Sequence, residues 1–253
     1  MKKQLHFTIN QKGGCGKTHL GFLLLSWAKQ NRISALGIDT DPNNASLGDY
    51  QGLEVKTLDI MNEEGLEILP QKWDSLIYYL LDDVTEEITV IDVGATAFMS
   101  LTAYLVSSNI FHEILNEKFE LYLNIPLIGG EGFYDTLGGM RYLVTLFGKQ
   151  SHVILWKNEH FGKVVDEVGK GLEEQEFYLE VKENVEGIIH IKKMHQLHEL
   201  AIEKMKKSKL TYEEVLGNPN FQLLDKSRIK SVLTASFEAM DLIFEKPLNE
   251  AKA

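Results

Sequence analysis

The residues with the clearest chemistry form a glycine loop, Gly13-Gly14-Cys15-Gly16-Lys17-Thr18, set between an alternating apolar segment and a stretch with helical spacing. Glycines let successive backbone N–H groups turn inward as a nest for an anion, at the N-terminus of the following helix. In this order Lys17 can reach the β- and γ-phosphates of a nucleotide, and the Thr18 hydroxyl can ligate magnesium. His19 follows on the same first turn and is grouped with the nucleotide-contacting residues. Three acidic residues complete the set. Asp39 and Asp41 follow one apolar segment and Asp92 ends another. Phosphoryl chemistry needs carboxylates near the metal and one group to orient the attacking water. Asp39 admits two readings, magnesium support or the capping of a strand end. Cys15 also admits two. It is a small residue filling a variable loop position, or a thiol with a lowered pKa beside lysines at a helix N-terminus. The second reading expects alkylation of Cys15 to block nucleotide binding.

These residues need a scaffold that brings them to one edge. Leu5 to Asn10 reads as a strand entering the loop, and Thr18 to Gln30 carries Leu20, Leu23, Leu24 and Trp27 at helical spacing. Ser34 to Asp39 is a second strand, and Pro42 starts a loop after Asp41. A helix is expected around Trp73 to Leu81, then a buried parallel strand at Ile88 to Val93. Phe98 to Leu115 looks helical, Phe119 to Ile128 extended, Phe133 to Phe147 helical and His152 to Trp156 extended. A charged, helical stretch then runs to Phe177, followed by a strand at Gly187 to Ile191 and helices at His195 to Lys207 and Asp225 to Phe244. Strands alternating with helices predict an α/β fold of three layers, a mostly parallel sheet with helices on both faces. Right-handed crossovers place the strand C-terminal ends along one edge, where ligands bind.

Gln11 stands where the ordinary phosphate loop has its first glycine, and Lys12 supplies a second lysine. The string Asn10-Gln11-Lys12-Gly13-Gly14-Cys15-Gly16-Lys17-Thr18 resembles the deviant Walker A motif of ParA, MinD and nitrogenase iron-protein relatives. The resemblance implies an ATPase that uses ATP and Mg2+. It also implies that Lys12 reaches across a face-to-face homodimer to ATP on the partner subunit; the residues alone also permit a local contact in cis. Asp41 matches the switch I aspartate that positions the attacking water. Asp92 matches the Walker B or switch II aspartate near magnesium, with Gly94 giving that loop its freedom. Asn158, directly after HVILW, matches the asparagine that recognises adenine, and a side-chain amide can pair with both N6 and N7. The Ile-Pro-Arg-type segment that gives relatives a second base contact reads Ile189-His190-Ile191-Lys192-Lys193 here, without the proline. Asp92-Val93-Gly94-Ala95 likewise departs from the Asp-x-Pro-Pro pattern of partition ATPases.

Other stretches are similar to the TraL proteins, ParA-type proteins encoded in the transfer regions of conjugative plasmids. They include IDTDPNNASLGDYQGLEV, LDIMNEEGLEI, VIDVGATAFMSLTAYL, GGEGFYDTLGGM, WKNEHFGKV and LTYEEVLGNPNFQLLDKSRIKSVL. This resemblance runs from Gln4 to about Asp241. It implies a role in conjugal DNA transfer or plasmid maintenance, with slow, partner-stimulated hydrolysis and a protein partner in the conjugation or segregation machinery.

Size and charge narrow the alternatives. A chain of 253 residues suits one P-loop ATPase domain, with the helices from about 196 to 245 packed on it. A net charge of −11 argues against a wholly basic nucleic-acid binder. The dense lysines are Lys192, Lys193, Lys204, Lys206, Lys207 and Lys209, the sole support for a ParA-like protein that binds DNA non-specifically. A single cysteine excludes an internal disulfide and fits a reducing, cytoplasmic setting. No segment approaches the ~20 apolar residues of a spanning helix. Ile229, Val232, Leu233, Phe237, Met240 and Phe244 do line one helical face, but acidic Glu238, Asp241 and Glu245 would repel an anionic membrane.

Overall fold

Side chains along the strands alternate between two apolar layers, and this alternation explains the architecture. The computed structural model describes residues 2–41, 46–65 and 67–244. Seven strands lie in one sheet: β1 (Lys3–Thr8), β2 (Ala35–Asp39), β3 (Val55–Thr57), β4 (Ile88–Asp92), β5 (Phe119–Ile128), β6 (His152–Asn158) and β7 (Val185–Ile191). Their order is β3-β2-β4-β1-β5-β6-β7 and every pairing is parallel. In β5, Leu121, Leu123, Ile125 and Leu127 face one core while Tyr122 faces the other; in β6, Val153 and Leu155 oppose Ile154 and Trp156. Period-2 alternation with both sets buried requires helices on both faces.

Those helices are α1 (Lys17–Gln30), α2 (Pro70–Asp82), α3 (Phe98–Val106), α4 (Asn116–Lys118), α5 (Phe133–Phe147), α6 (Glu176–Val181), α7 (Gln196–Lys207), α8 (Tyr212–Gly217) and α9 (Leu223–Asp241). The core containing Trp73, Phe98, Leu101, Met140 and Leu143 gathers α2, α3 and α5 on one face. The core containing Leu23, Trp27, Met205, Leu233 and Phe237 gathers α1, α7 and α9 on the other. The expected three-layer parallel sheet is therefore present. Ile229, Leu233, Phe237, Met240 and Phe244 are all buried in the second core, so the apolar stripe of α9 is packing surface. Among the described residues no helix is long and apolar enough to cross a membrane.

Two expected elements differ, and two others were not expected. The helix expected from Phe98 to Leu115 ends at Val106, and a π-helical turn at Ile110–Leu115 follows. Asn109 between them adopts φ 54°, a left-handed conformation that asparagine tolerates and a helix interior does not. The charged stretch before Phe177 is mostly turns rather than helix, with left-handed Gly162 and Gly169 interrupting it. Neither β3 nor α8 stands out in the periodicity. β3 has three residues at the sheet edge, and α8 is set by a cap in which Thr211 N and Oγ1 both donate to the Glu214 carboxylate. The loop expected at Pro42-Asn43-Asn44 and the residue Glu245 lie outside the described residues.

Candidate functional site

The site is assembled by strand register. Thr8 pairs with Asp92 between β1 and β4, and Asp39 pairs with Asp92 between β2 and β4. Three polar residues from three strands thus end level with one another, beside the loop that leaves β1. Since β1 sits between β4 and β5, this loop opens at a central position on the C-terminal edge.

The loop itself has the backbone its glycines allow. Gly14 and Gly16 adopt φ 73° and 107°, and Gly16 is the N-cap of α1. A Cβ on Gly16 would also come within 2.8 Å of Asn158 Nδ2. Asn10 anchors the approach: its Nδ2 donates to the Pro126 and Thr136 carbonyls, and its Oδ1 accepts from Lys12 N. Asn10 was not singled out from the sequence, because its role depends on β5 and α5 passing beside it. Gly13 lies on the exposed rim of the loop.

Lys17 is buried at 8% exposure and its Nζ donates to the Lys12 carbonyl at 2.9 Å. The Cys15 thiol donates to the same oxygen. Cys15 is fully buried, and burial pushes its thiol pKa up, outweighing the nearby Lys17. This corrects the expectation of a reactive, low-pKa thiol: desolvation of the thiolate exceeds the attraction of the lysine. Lys12 forms an ion pair with Asp135 of α5 at 2.8 Å, which raises its pKa through the hydrogen bond and charge of that carboxylate.

The acidic residues separate by environment. Asp92 is buried and accepts a hydrogen bond from the Thr8 hydroxyl at 2.8 Å, with the Thr18 hydroxyl nearby. Burial raises its pKa to about 6, with Asp39 adding repulsion and the hydroxyls and Lys17 opposing. Asp39 has its two oxygens committed to three backbone amides: Oδ1 accepts from Asp41 N, and Oδ2 from Leu47 N and Gly48 N. Of its two readings, this geometry supplies the cap, here one that ties together both ends of the segment from 41 to 48. Asp41 lies against Gly94, where an added Cβ would fall 2.9 Å from Asp41 Cα. The segments after β2 and β4 are thus in direct contact, which a side chain at position 94 would prevent.

The electrostatics of Asp92 carry a stability prediction. Its raised pKa means that the folded chain disfavours the ionised carboxylate relative to the unfolded chain, by about 3 kcal/mol at neutral pH. Asp92→Asn keeps the shape without the buried charge. Urea unfolding at pH 7.5 in chelator should show the variant to be more stable by roughly 2–3 kcal/mol, and an equal or lower midpoint would contradict the assignment.

Beside the loop lies a cavity of about 160 Å3, lined by Gly14, Gly16, His19, Asn158, Phe161 and Lys206 among others. Asn158 is buried at the end of β6. Its Nδ2 donates to the Cys15 carbonyl at 3.2 Å and its Oδ1 accepts from His160 N. His19 is neutral, its pKa held well below the usual value by burial, and its Nδ1 has no hydrogen-bond partner. A larger cavity of about 680 Å3 opens between β7, α7 and α9 and meets the loop at His19. Its lining is largely aliphatic, with His19, His190, Lys192, Lys193, His195 and His198 among the remainder. Among the described residues no group of three His, Cys, Asp or Glu side chains gathers as a metal site.

Comparison with known proteins agrees with the fold. The chain is 28% identical over 239 residues to protein TraL of Escherichia coli, covering 94% of this chain and 97% of the relative. The MinC:MinD cell division protein complex of Aquifex aeolicus contains a chain that superposes with a TM-score of 0.52 at 13% identity, covering 97% and 98% of the two chains. A plasmid partition protein of Borrelia burgdorferi bound to AMPPNP superposes with a TM-score of 0.51 at 12% identity, covering 94% and 98%. No family model matches the chain. The chain is thus similar in sequence to TraL over nearly its whole length, and its fold is the one seen in MinD and the plasmid partition protein.

Proposed function

We propose that the chain is an ATP-binding, slowly hydrolysing dimerisation switch that acts in conjugal plasmid DNA transfer or plasmid maintenance. The observation that carries the proposal is the convergence of buried Lys17, the Thr18 hydroxyl and buried Asp92 beside a glycine nest at the sheet edge. The nest and the N-terminus of α1 bind the phosphates, and Lys17 exchanges the Lys12 carbonyl for phosphate oxygens. Thr18 and Asp92 would hold magnesium, and Asp39 would support them by tethering the loop that carries Asp41. When bound, magnesium neutralises charge on the β- and γ-phosphates. Asp41 orients the attacking water, and its contact with Gly94 couples the two loops that sense the γ-phosphate. Asn158 positions the base. The whole chain serves as one ATPase domain, with the helices after β7 packed against it.

Lys12 fits the role of a contact to a second copy. It lies at the surface, and its exposed pairing with Asp135 is of a kind that is weak and easily exchanged. A cation arriving in trans stabilises charge on the transferring phosphoryl and ties dimerisation to nucleotide state. Lys12→Ala should bind ATP within about threefold of the parent while losing ATP-induced dimerisation. Sedimentation with a non-hydrolysable ATP analogue tests this, and a full dimer in the variant overturns it. A protein partner would read the dimer, as the complex of MinD with MinC suggests for the neighbour. The DNA-coating alternative finds less support. Lys204, Lys207 and Lys209 each lie beside a carboxylate, of Asp225, Glu203 and Asp49, which offsets part of the positive charge that DNA would meet.

A further inference from the structure

Lys206 stands apart from the other lysines of α7. Lys204 and Lys207 on the same helix each have a carboxylate partner within 3.3 Å. Among the described residues no ion pair or side-chain hydrogen bond engages the Lys206 ammonium. Its nearest acidic influence is Glu203, already paired with Lys207. Burial holds its pKa down at about 8, and its charge in turn helps to keep His19 neutral. A cation withdrawn from water without a counter-charge is unfavourable, so the arrangement is completed when an anion enters.

The place it occupies says which anion. Lys206 lines the small cavity together with Gly14 and Gly16 of the loop, His19 at the start of α1 and Asn158 from β6. Loops of this type cradle the α- and β-phosphates on their backbone amides. Lys17 lies within the loop, and Lys206 closes the cavity from the α7 side. We propose that Lys206 is a third nucleotide-binding lysine, donating from α7 to the phosphate chain of the bound nucleotide. This rests on the nucleotide-binding reading of the loop. Ile191, Lys192 and Met194, at the end of β7 and just after it, line the same cavity. His160, turned toward α7 by its contact with Glu199, braces the same side.

Two variants test the proposal by titration calorimetry with ADP and with ATP in magnesium. Lys206→Met keeps the aliphatic stem and removes the charge; it should weaken both nucleotides roughly 10- to 100-fold, the range for losing one charge-assisted hydrogen bond. Lys206→Arg should retain most of the affinity. Thermal unfolding without nucleotide reports a purely structural role separately. A Met variant that unfolds at or above the parent temperature, with unchanged nucleotide affinity, overturns the inference while leaving the nucleotide reading intact. Failure of the parent protein to bind either nucleotide overturns both.

Discussion

Asp41→Ala is expected to lower ATP turnover by roughly 100- to 1,000-fold while leaving ATP affinity within a few-fold. Asp41 follows the C-terminal end of β2 and rests on Gly94 after β4, outside the glycine loop. In the proposed mechanism a carboxylate there acts on the water that attacks the γ-phosphate. Asp41→Asn separates orientation from proton acceptance, since the amide keeps the shape and loses the charge. Asp39→Ala is the contrasting variant. It removes acceptors from three backbone amides of the same loop, so it should reduce stability and binding together. Phosphate release at saturating Mg-ATP, paired with binding measurements, distinguishes the two. Undiminished turnover in Asp41→Ala would remove it from the chemical step.

The second large effect concerns acid stability and comes from a group outside the nucleotide site. His6 on β1 is fully buried, stacked on Tyr122 at 4.4 Å and 5° between ring planes, with Phe244 edge-on. Its two nitrogens face Gln4 Oε1 and Asn124 Nδ2, which requires the neutral tautomer with the proton on Nε2. Asn124 in turn accepts from Trp156 Nε1. Burial, with a further contribution from His152, lowers the His6 pKa to about 3. Below pH 6.5 the unfolded chain therefore takes up a proton that the folded chain refuses. Stability present at neutral pH is lost as pH falls from 6.5 toward 3, by about 4–5 kcal/mol in full. His19 adds a loss of the same sign. Asp92 works the other way between about 6 and 4, because the folded chain binds its proton first. His6→Gln removes one titration. Its stability, measured by urea unfolding from pH 7 to pH 4.5, should fall less steeply than the parent's, by about 1.4 kcal/mol per unit. Parallel curves for the two proteins would exclude His6 as the source.

How much of this was legible in advance depended on the range of the interaction. The loop from Gly13 to Thr18 could be read directly because left-handed glycines, a lysine and a hydroxyl must be contiguous to form a nest. The β4 and β5 strands were legible because two-sided burial leaves long apolar runs. The π-turn at Ile110–Leu115 was not, because Phe98 to Leu115 keeps helical apolar spacing through the left-handed Asn109. The pairing of Lys12 with Asp135 and the cradling of Asn158 against Gly16 were equally hidden, since they join segments more than 100 residues apart.

The glycine loop, its lysines and the acidic strand ends are set by local chemistry, and the sequence by itself determined that a glycine loop with the spacing of a phosphate nest follows the first strand. Tertiary structure alone decided what surrounds it. Register brought Asp39, Asp92 and Thr8 level, burial raised the Cys15 pKa instead of lowering it, and packing of α7 turned Lys206 inward. These outcomes depend on desolvation and on distances between remote segments. Residue type and spacing do not encode either quantity; the folded chain creates both.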